Sequence, residues 1–172
     1  MGVQYKGKED VTDSVGLLIS ILVRYPEVAT IDLDPGQQII KFTFIASGTP
    51  DEGEMACLED EILDSIEVFN MLEGRSAQLS HINHHACEQL TMLEVERDVD
   101  TLKQEEIALI VELIHQKIES SLVTDDNESL FEEDLLIQEE IIKHMLESVR
   151  GKAGDKYLYA FREEGRVLVF NK

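Results

Sequence analysis

The chain has 172 residues, 43% hydrophobic and 30% charged, a size and balance that predict one soluble globular domain spanning residues 1–172 with a core of its own. Its 36 acidic residues outnumber 15 lysines and arginines, for a net charge of −21. That balance excludes nucleic acid and anionic membrane surfaces as expected partners, since both are gripped by Lys and Arg, and favours cations or a basic protein partner.

The charge is uneven. Asp51–Glu73 holds nine acids and no base, whereas the end from Arg150 to Lys172 is mostly basic. Cys57 and Cys87 stand far apart with no CxxC pair, which makes no disulfide framework and suits a reducing cytoplasm. The apolar run Val15–Val23 follows more acids than bases and is too short to span a bilayer, so a cytoplasmic location is expected.

Residues 1–8 read as a loose or edge segment. A first helix is predicted over Asp10–Tyr25, where Val11, Val15, Leu18 and Leu22 recur at helical spacing. Pro26 stops it, because proline disfavours the helical conformation in the residue before it. A hairpin follows: Ala29, Ile31 and Leu33 alternate with polar residues, and Asp34-Pro35-Gly36 is a turn signal with glycine free to take a positive φ. The return strand Ile39–Ala46 puts Ile40, Phe42, Phe44 and Ala46 on one face, and Ile39 and Ile45 on the other suggest cover on both sides, at least in part.

The second helix is predicted over Glu52–Leu72, with Met55, Leu58, Ile62, Ile66 and Phe69 inward, Glu59, Asp60, Asp64 and Glu67 toward water, and Gly74 as its C-terminal cap. Residues 77–89 fit two patterns. As a helix, His81, His84, His85 and Glu88 share one face; as a strand, His81, His85 and Cys87 share a face and His84 points away. The scarcity of good helix formers favours a strand or irregular loop.

Leu90–Arg97, with Thr91 and Val95, reads as a central strand. Thr101 and Gln104 have capping-box spacing ahead of a helix over Leu102–Leu122 that is apolar on much of its circumference, which places it centrally or in a subunit interface. Val123–Glu128 is a polar linker, and Ser129 and Glu132 repeat the capping spacing before a helix over Leu130–Arg150 that buries Phe131, Leu135, Ile142, Met145, Leu146 and Val149. Gly151–Gly154 ends it. A last hairpin, Tyr157–Phe161 and Arg166–Phe170, is apolar on both faces.

Without βαβ alternation, the expected fold is α+β: a two-layer sandwich whose largely antiparallel or mixed sheet of about five strands (two hairpins and a central strand) packs with four helices. The stretch with the most chemistry is 81–88. His81, His84, His85, Cys87 and Glu88 offer imidazole, thiolate and carboxylate ligands suited to zinc or another divalent transition metal, and His115 and His144 can add to them if the fold brings them near. The spacing matches no standard metal signature. Cys87 beside His84 or His85 is a conceivable nucleophile pair. No catalytic residue, nucleotide loop or cofactor site is otherwise expected.

The expected function is therefore a non-catalytic interaction or regulatory module that self-associates as a homodimer. The alternative is a metal-binding protein or metal-dependent hydrolase built on the histidine cluster. A third reading, an acidic mimic of nucleic acid, needs the acids of 51–73 and 125–140 to form one stripe.

Overall fold

The protein is seen here as a computed structural model that describes residues 9–124, 132–150 and 156–171, with backbone only for 9–12. Ten elements follow one another: α1 (Glu9–Arg24), β1 (Thr30–Asp34), β2 (Ile39–Ser47), α2 (Glu52–Leu72), β3 (Ser80–Cys87), β4 (Leu90–Asp98), α3 (Gln104–Ile118), α4 (Glu132–Val149), β5 (Leu158–Glu163) and β6 (Arg166–Asn171). The strands form one sheet in the order β3-β4-β2-β1-β5-β6, with every pair antiparallel. This is the expected α+β arrangement with one strand more than foreseen: Ser80–Cys87 is a full strand, and it lies at one edge.

Alternation along each strand divides the sheet into two faces. Ile31 and Leu33 of β1, Ile40, Phe42 and Phe44 of β2, Leu93 and Val95 of β4, and Leu158 and Ala160 of β5 are buried together against the helices. The β2–β4 register sets Phe42 beside Val95 and Phe44 beside Leu93, so the largest side chains fill the sheet's middle. The helices answer with stripes at three- and four-residue steps: Leu17, Leu18, Ile21 and Leu22 from α1; Met55, Leu58, Ile62 and Ile66 from α2; Ile107, Ile110, Val111 and Ile114 from α3; Ile142, Leu146 and Val149 from α4. Each such side chain contributes about 1.5–3 kcal/mol on burial, which is why these stripes decide the packing. The apolar helix α3 is thus central within its own chain, and four of its apolar residues are buried there.

The element ends have identifiable causes. Pro26 follows α1, and Arg162 of β5 reaches across to its last turn: Nη2 donates to the Leu22 carbonyl (2.5 Å) and Nη1 to the Val28 carbonyl (2.9 Å). Asp34 Oδ1 accepts from the backbone N–H of Gly36 (3.1 Å) and Gln37 (3.2 Å), which fixes the β1–β2 turn. The left-handed residue of that turn is Gln38, with φ 55°, and not Gly36. Gly74, at φ 77°, follows α2 as expected.

Two further local expectations fail. The Thr101–Gln104 capping box does not form: α3 begins after Lys103 without a side-chain cap, and the Thr101 hydroxyl turns back to Asp98 instead. Glu59 does not face open water but leans onto β3. Ile39 and Ile45 lie on the sheet face away from the helix stripes and are half-buried, Ile45 with Val123 beside it, so the cover expected there is partial. Residues 1–8, the Ser129 cap and Phe131, and the Gly151–Gly154 segment lie outside the described residues, as does 125–131 of the supposed acidic stripe.

Candidate functional site

β3 and β4 form a hairpin whose tight turn is Glu88-Gln89, with Glu88 in the left-handed region at φ 58°. The strand reading of 77–89 therefore holds, and it divides the expected metal ligands. His81, His85 and Cys87 lie on the uncovered face, opposite Glu96, Met92 and Leu90 of β4. His84 lies on the helix side. Glu88 sits in the turn. His81 and His85 are four residues apart on one strand, about 13 Å at the rise of extended chain, too far to share an ion. Among the described residues, no group of three or more His, Cys, Asp or Glu side chains of one chain converges as metal ligands. His115 pairs with Glu27 (3.6 Å) and Glu119 (3.7 Å), and His144 lies on α4 beside Leu136 and Ile137, so neither joins the β3 histidines. Cys57 and Cys87 are both exposed and unpaired with each other.

His84 has a different role. Its ring lies between two carboxylates of α2, Nδ1 against Glu59 and Nε2 against Glu52 (2.9 Å), residues seven apart that fall on one helical face. Glu59, and more weakly Glu52, hold the imidazolium, so the His84 pKa lies above the ordinary histidine value despite an opposing contribution from burial. The contact ties the edge strand to the helix above it. A group with a raised folded pKa contributes its full stabilisation below the unfolded value of about 6.5 and loses it as pH rises through the folded value. Wild type is therefore expected to exceed His84→Gln in stability by about 1 kcal/mol at low ionic strength. That gap closes on going from about pH 6 to about pH 9. Urea midpoints measured across this range decide the matter, and a gap constant with pH is incompatible with the clamp.

A larger polar cluster is buried under the same hairpin. Arg97, fully buried at the end of β4, donates from Nε to Glu106 Oε2 (2.5 Å) and from Nη2 to Glu106 Oε1 (2.8 Å), a two-pronged pair with α3. Its Nη1 reaches Asp98, the Leu79 carbonyl (3.0 Å) and Thr101 Oγ1 (3.0 Å). Asn70 of α2 donates to Glu106 (2.9 Å) and accepts from Arg75 Nε (3.1 Å). Burial alone would raise the Asp98 pKa, but the Thr101 hydroxyl, the Leu79 N–H, Arg97 and the Thr101 N–H together bring it below the ordinary carboxylate value. The cluster joins α2, α3, β4 and Leu79, the residue just before β3. With Arg97 and Glu106 at 0% exposure, it is closed to any substrate.

The uncovered face carries the most exposed chemistry. At its centre Lys41 bridges Glu94 (3.2 Å) and Asp32 (3.7 Å). Burial pulls the Lys41 pKa down, and these two carboxylates more than offset it, leaving the ammonium above its ordinary value. Toward β5 and β6 the face turns apolar: Tyr159 and Phe161 have ring centroids 5.5 Å apart, Phe161 and Phe170 stack at 5.6 Å, and Leu168 lies opposite Phe161. Phe170 is 51% exposed. A groove of about 470 Å³ runs beside these rings, lined also by Ile45, Val123 and Arg162. A second groove of about 610 Å³, between α2 and α3, is floored by Val68, Phe69, Leu72 and Leu109 and rimmed by Asp60, Glu61 and Asp64. The second groove also has Cys57 and Ser65 on its lining, with no histidine, lysine or arginine among the described residues that line it. No described helix is long and apolar enough to cross a membrane. Comparison of the chain with protein-family models, with curated proteins and with solved structures finds no match in any of the three.

Proposed function

We propose that this chain is a non-catalytic interaction module that self-associates through the uncovered face of its sheet, in a reducing cytoplasm where Cys57 and Cys87 stay as thiols. One observation carries the reading: Tyr159, Phe161, Leu168 and Phe170 form a contiguous aromatic and aliphatic patch on a face without a second layer among the described residues. Every other large apolar surface of the sheet lies under helices, and rings left on a flat face are the composition favoured at protein interfaces. Two sheets laid face to face bury such patches at about 10 Å separation.

The charge makes the proposal testable. Two copies each carrying −21 repel, so salt strengthens a homodimer by screening, whereas salt weakens binding to a basic partner held by charge. In sedimentation velocity the wild type is expected as a dimer at micromolar concentration, tighter at higher salt. Phe161→Glu, which puts a charge among the rings, weakens it by at least about tenfold. A wild type that stays monomeric at all salt concentrations removes self-association by this face; an interaction that salt dissolves points to a basic partner protein instead.

A further inference from the structure

β3 is one of the sheet's two edges, and its sequence lacks the usual protection. Ser80–Cys87 contains no Lys, Arg, Asp, Glu or Pro, in a chain that is 30% charged. Such residues are what normally keep an exposed edge from pairing with another chain. The hydrogen-bond phase of the edge is fixed: the Asp98 N–H donates to the Leu79 carbonyl (3.3 Å), so the odd-numbered residues of β3 bond to β4. Ser80, Ile82, His84 and Ala86 therefore turn their N–H and C=O groups outward, away from the sheet.

Laid antiparallel against a second copy of itself, β3 satisfies these groups only when an even residue faces an even residue. Two registers do so while pairing seven residues. One sets His84 against the second copy's His84, crowding two rings that Glu59 and Glu52 already hold in place. The other is centred on Asn83, sets Ile82 beside the second copy's His84, and brings His81 directly opposite the second copy's His85. These odd-numbered pairs are the non-hydrogen-bonded ones, whose Cβ atoms lie about 4.5–5.5 Å apart. Two imidazoles that one chain holds about 13 Å apart thus become neighbours, twice over, on either side of the two-fold axis.

Each ring is accessible and has a carboxylate close by. His81 Nδ1 lies 3.6 Å from Glu96 Oε1 and His85 Nδ1 lies 3.9 Å from Glu94 Oε1, while the rings themselves are 57% and 51% exposed. These separations exceed a hydrogen bond, and a small side-chain movement gives the carboxylate contact at Nδ1, with Nε2 left for the ion, that is found around metal-binding histidines. Imidazole selects zinc, nickel or copper over calcium and magnesium. We propose that a divalent transition metal joins two copies of this chain edge to edge through His81 of one and His85 of the other, one ion per chain. This goes beyond the aromatic-face reading and uses the opposite end of the sheet, so the two stand or fall separately.

The test uses full-length Phe161→Glu, in which the aromatic contact is broken. Zinc added in slight molar excess is expected to double the mass in sedimentation, EDTA to reverse it, and either His81→Ala or His85→Ala to abolish it. The register has its own check: Asn83→Cys, in a Cys57→Ser/Cys87→Ser background, sits opposite its own copy at a separation a disulfide accepts, so zinc is expected to accelerate the oxidised dimer several-fold. No change of mass with zinc overturns the proposal. So does a calcium-induced dimer equal to the zinc one, which would reflect neutralised surface acids, or zinc dimers that survive both histidine substitutions. A wild type monomeric without metal yet dimeric with it defeats the aromatic-face reading alone.

Discussion

Glu106→Ala is expected to lower the unfolding free energy by about 3 kcal/mol, the low end of the loss seen when one member of a buried ion pair is removed, because Arg97 keeps Asp98 as its one remaining counterion. Arg97 has no route to water: it is fully buried, and its remaining partners are Asp98, Thr101 and one carbonyl. Removing this pair, as Arg97→Met with Glu106→Leu, is expected to recover only part of the loss, because the apolar replacements need no pairing but Asp98 loses its guanidinium partner. Urea unfolding of the two single variants and the double variant measures this directly. A single-variant loss below about 1 kcal/mol means that water reaches the guanidinium, contrary to its burial. The same cluster adds an acid-sensitive contribution: with its pKa depressed, Asp98 stabilises the fold above the ordinary carboxylate range and loses that effect as pH falls through it.

Arg162→Ala is expected to cost about 2–3 kcal/mol, in line with charged hydrogen bonds lost to half-buried carbonyls. Beyond Leu22 and Val28, its guanidinium touches the Pro26 and Tyr25 carbonyls at 3.4 Å, so one side chain of β5 collects the acceptors left over where α1 ends. A cation at this position also complements the negative end of the helix. Arg162→Lys, with one ammonium in place of a fork, is expected to restore less than half of the loss. Hydrogen exchange supplies a local readout: the Tyr25 and Val28 amides, bonded to the Ile21 and Tyr25 carbonyls, lose protection first in Arg162→Ala. Unchanged protection there would mean that α1 ends without help from β5.

Most of the layering was legible because hydrophobic spacing is what builds it. The stripes Met55-Leu58-Ile62-Ile66 and Ile107-Ile110-Ile114 have helical period, the hairpin runs have a period of two, and both survive into the buried core. Residues 80–87 were ambiguous for a physical reason: Ile82 is the only strongly apolar side chain among them, so the alternation has almost no contrast, and Leu79, Ile82 and Ala86 suit a helix equally. An edge strand needs little apolar contrast, since half its surroundings are solvent.

The buried ionic cluster was missed although its signal was present. In Leu93-x-Val95-x-Arg97 the alternation carries an arginine onto the core face, and Glu106 stands one step before Ile107 and four before Ile110 on the inward side of α3. Reading Thr101 as a helix cap diverted attention from the neighbour it actually bonds, Asp98. Following the alternation to its last residue would have required a buried acid for Arg97. What no spacing reveals is which face of the sheet goes uncovered, because that depends on all four helices choosing the same side.

The strand order has a bearing on how the protein is made. β1 is paired on one side by its sequence neighbour β2 and on the other by β5, and Arg162 bonds a carbonyl 134 positions earlier in the chain. At about 5–20 residues per second, a ribosome leaves roughly 7–27 s between making that part of the chain and making its partner. Throughout this interval the outer edge of β1 and the last turn of α1 lack their final neighbours, and Ile31 and Leu33 lack Leu158 and Ala160 beside them. The nascent chain therefore presents an unpaired, apolar strand edge for most of its synthesis. The step that closes it is docking of the β5–β6 hairpin, which leaves the ribosome after every other described element.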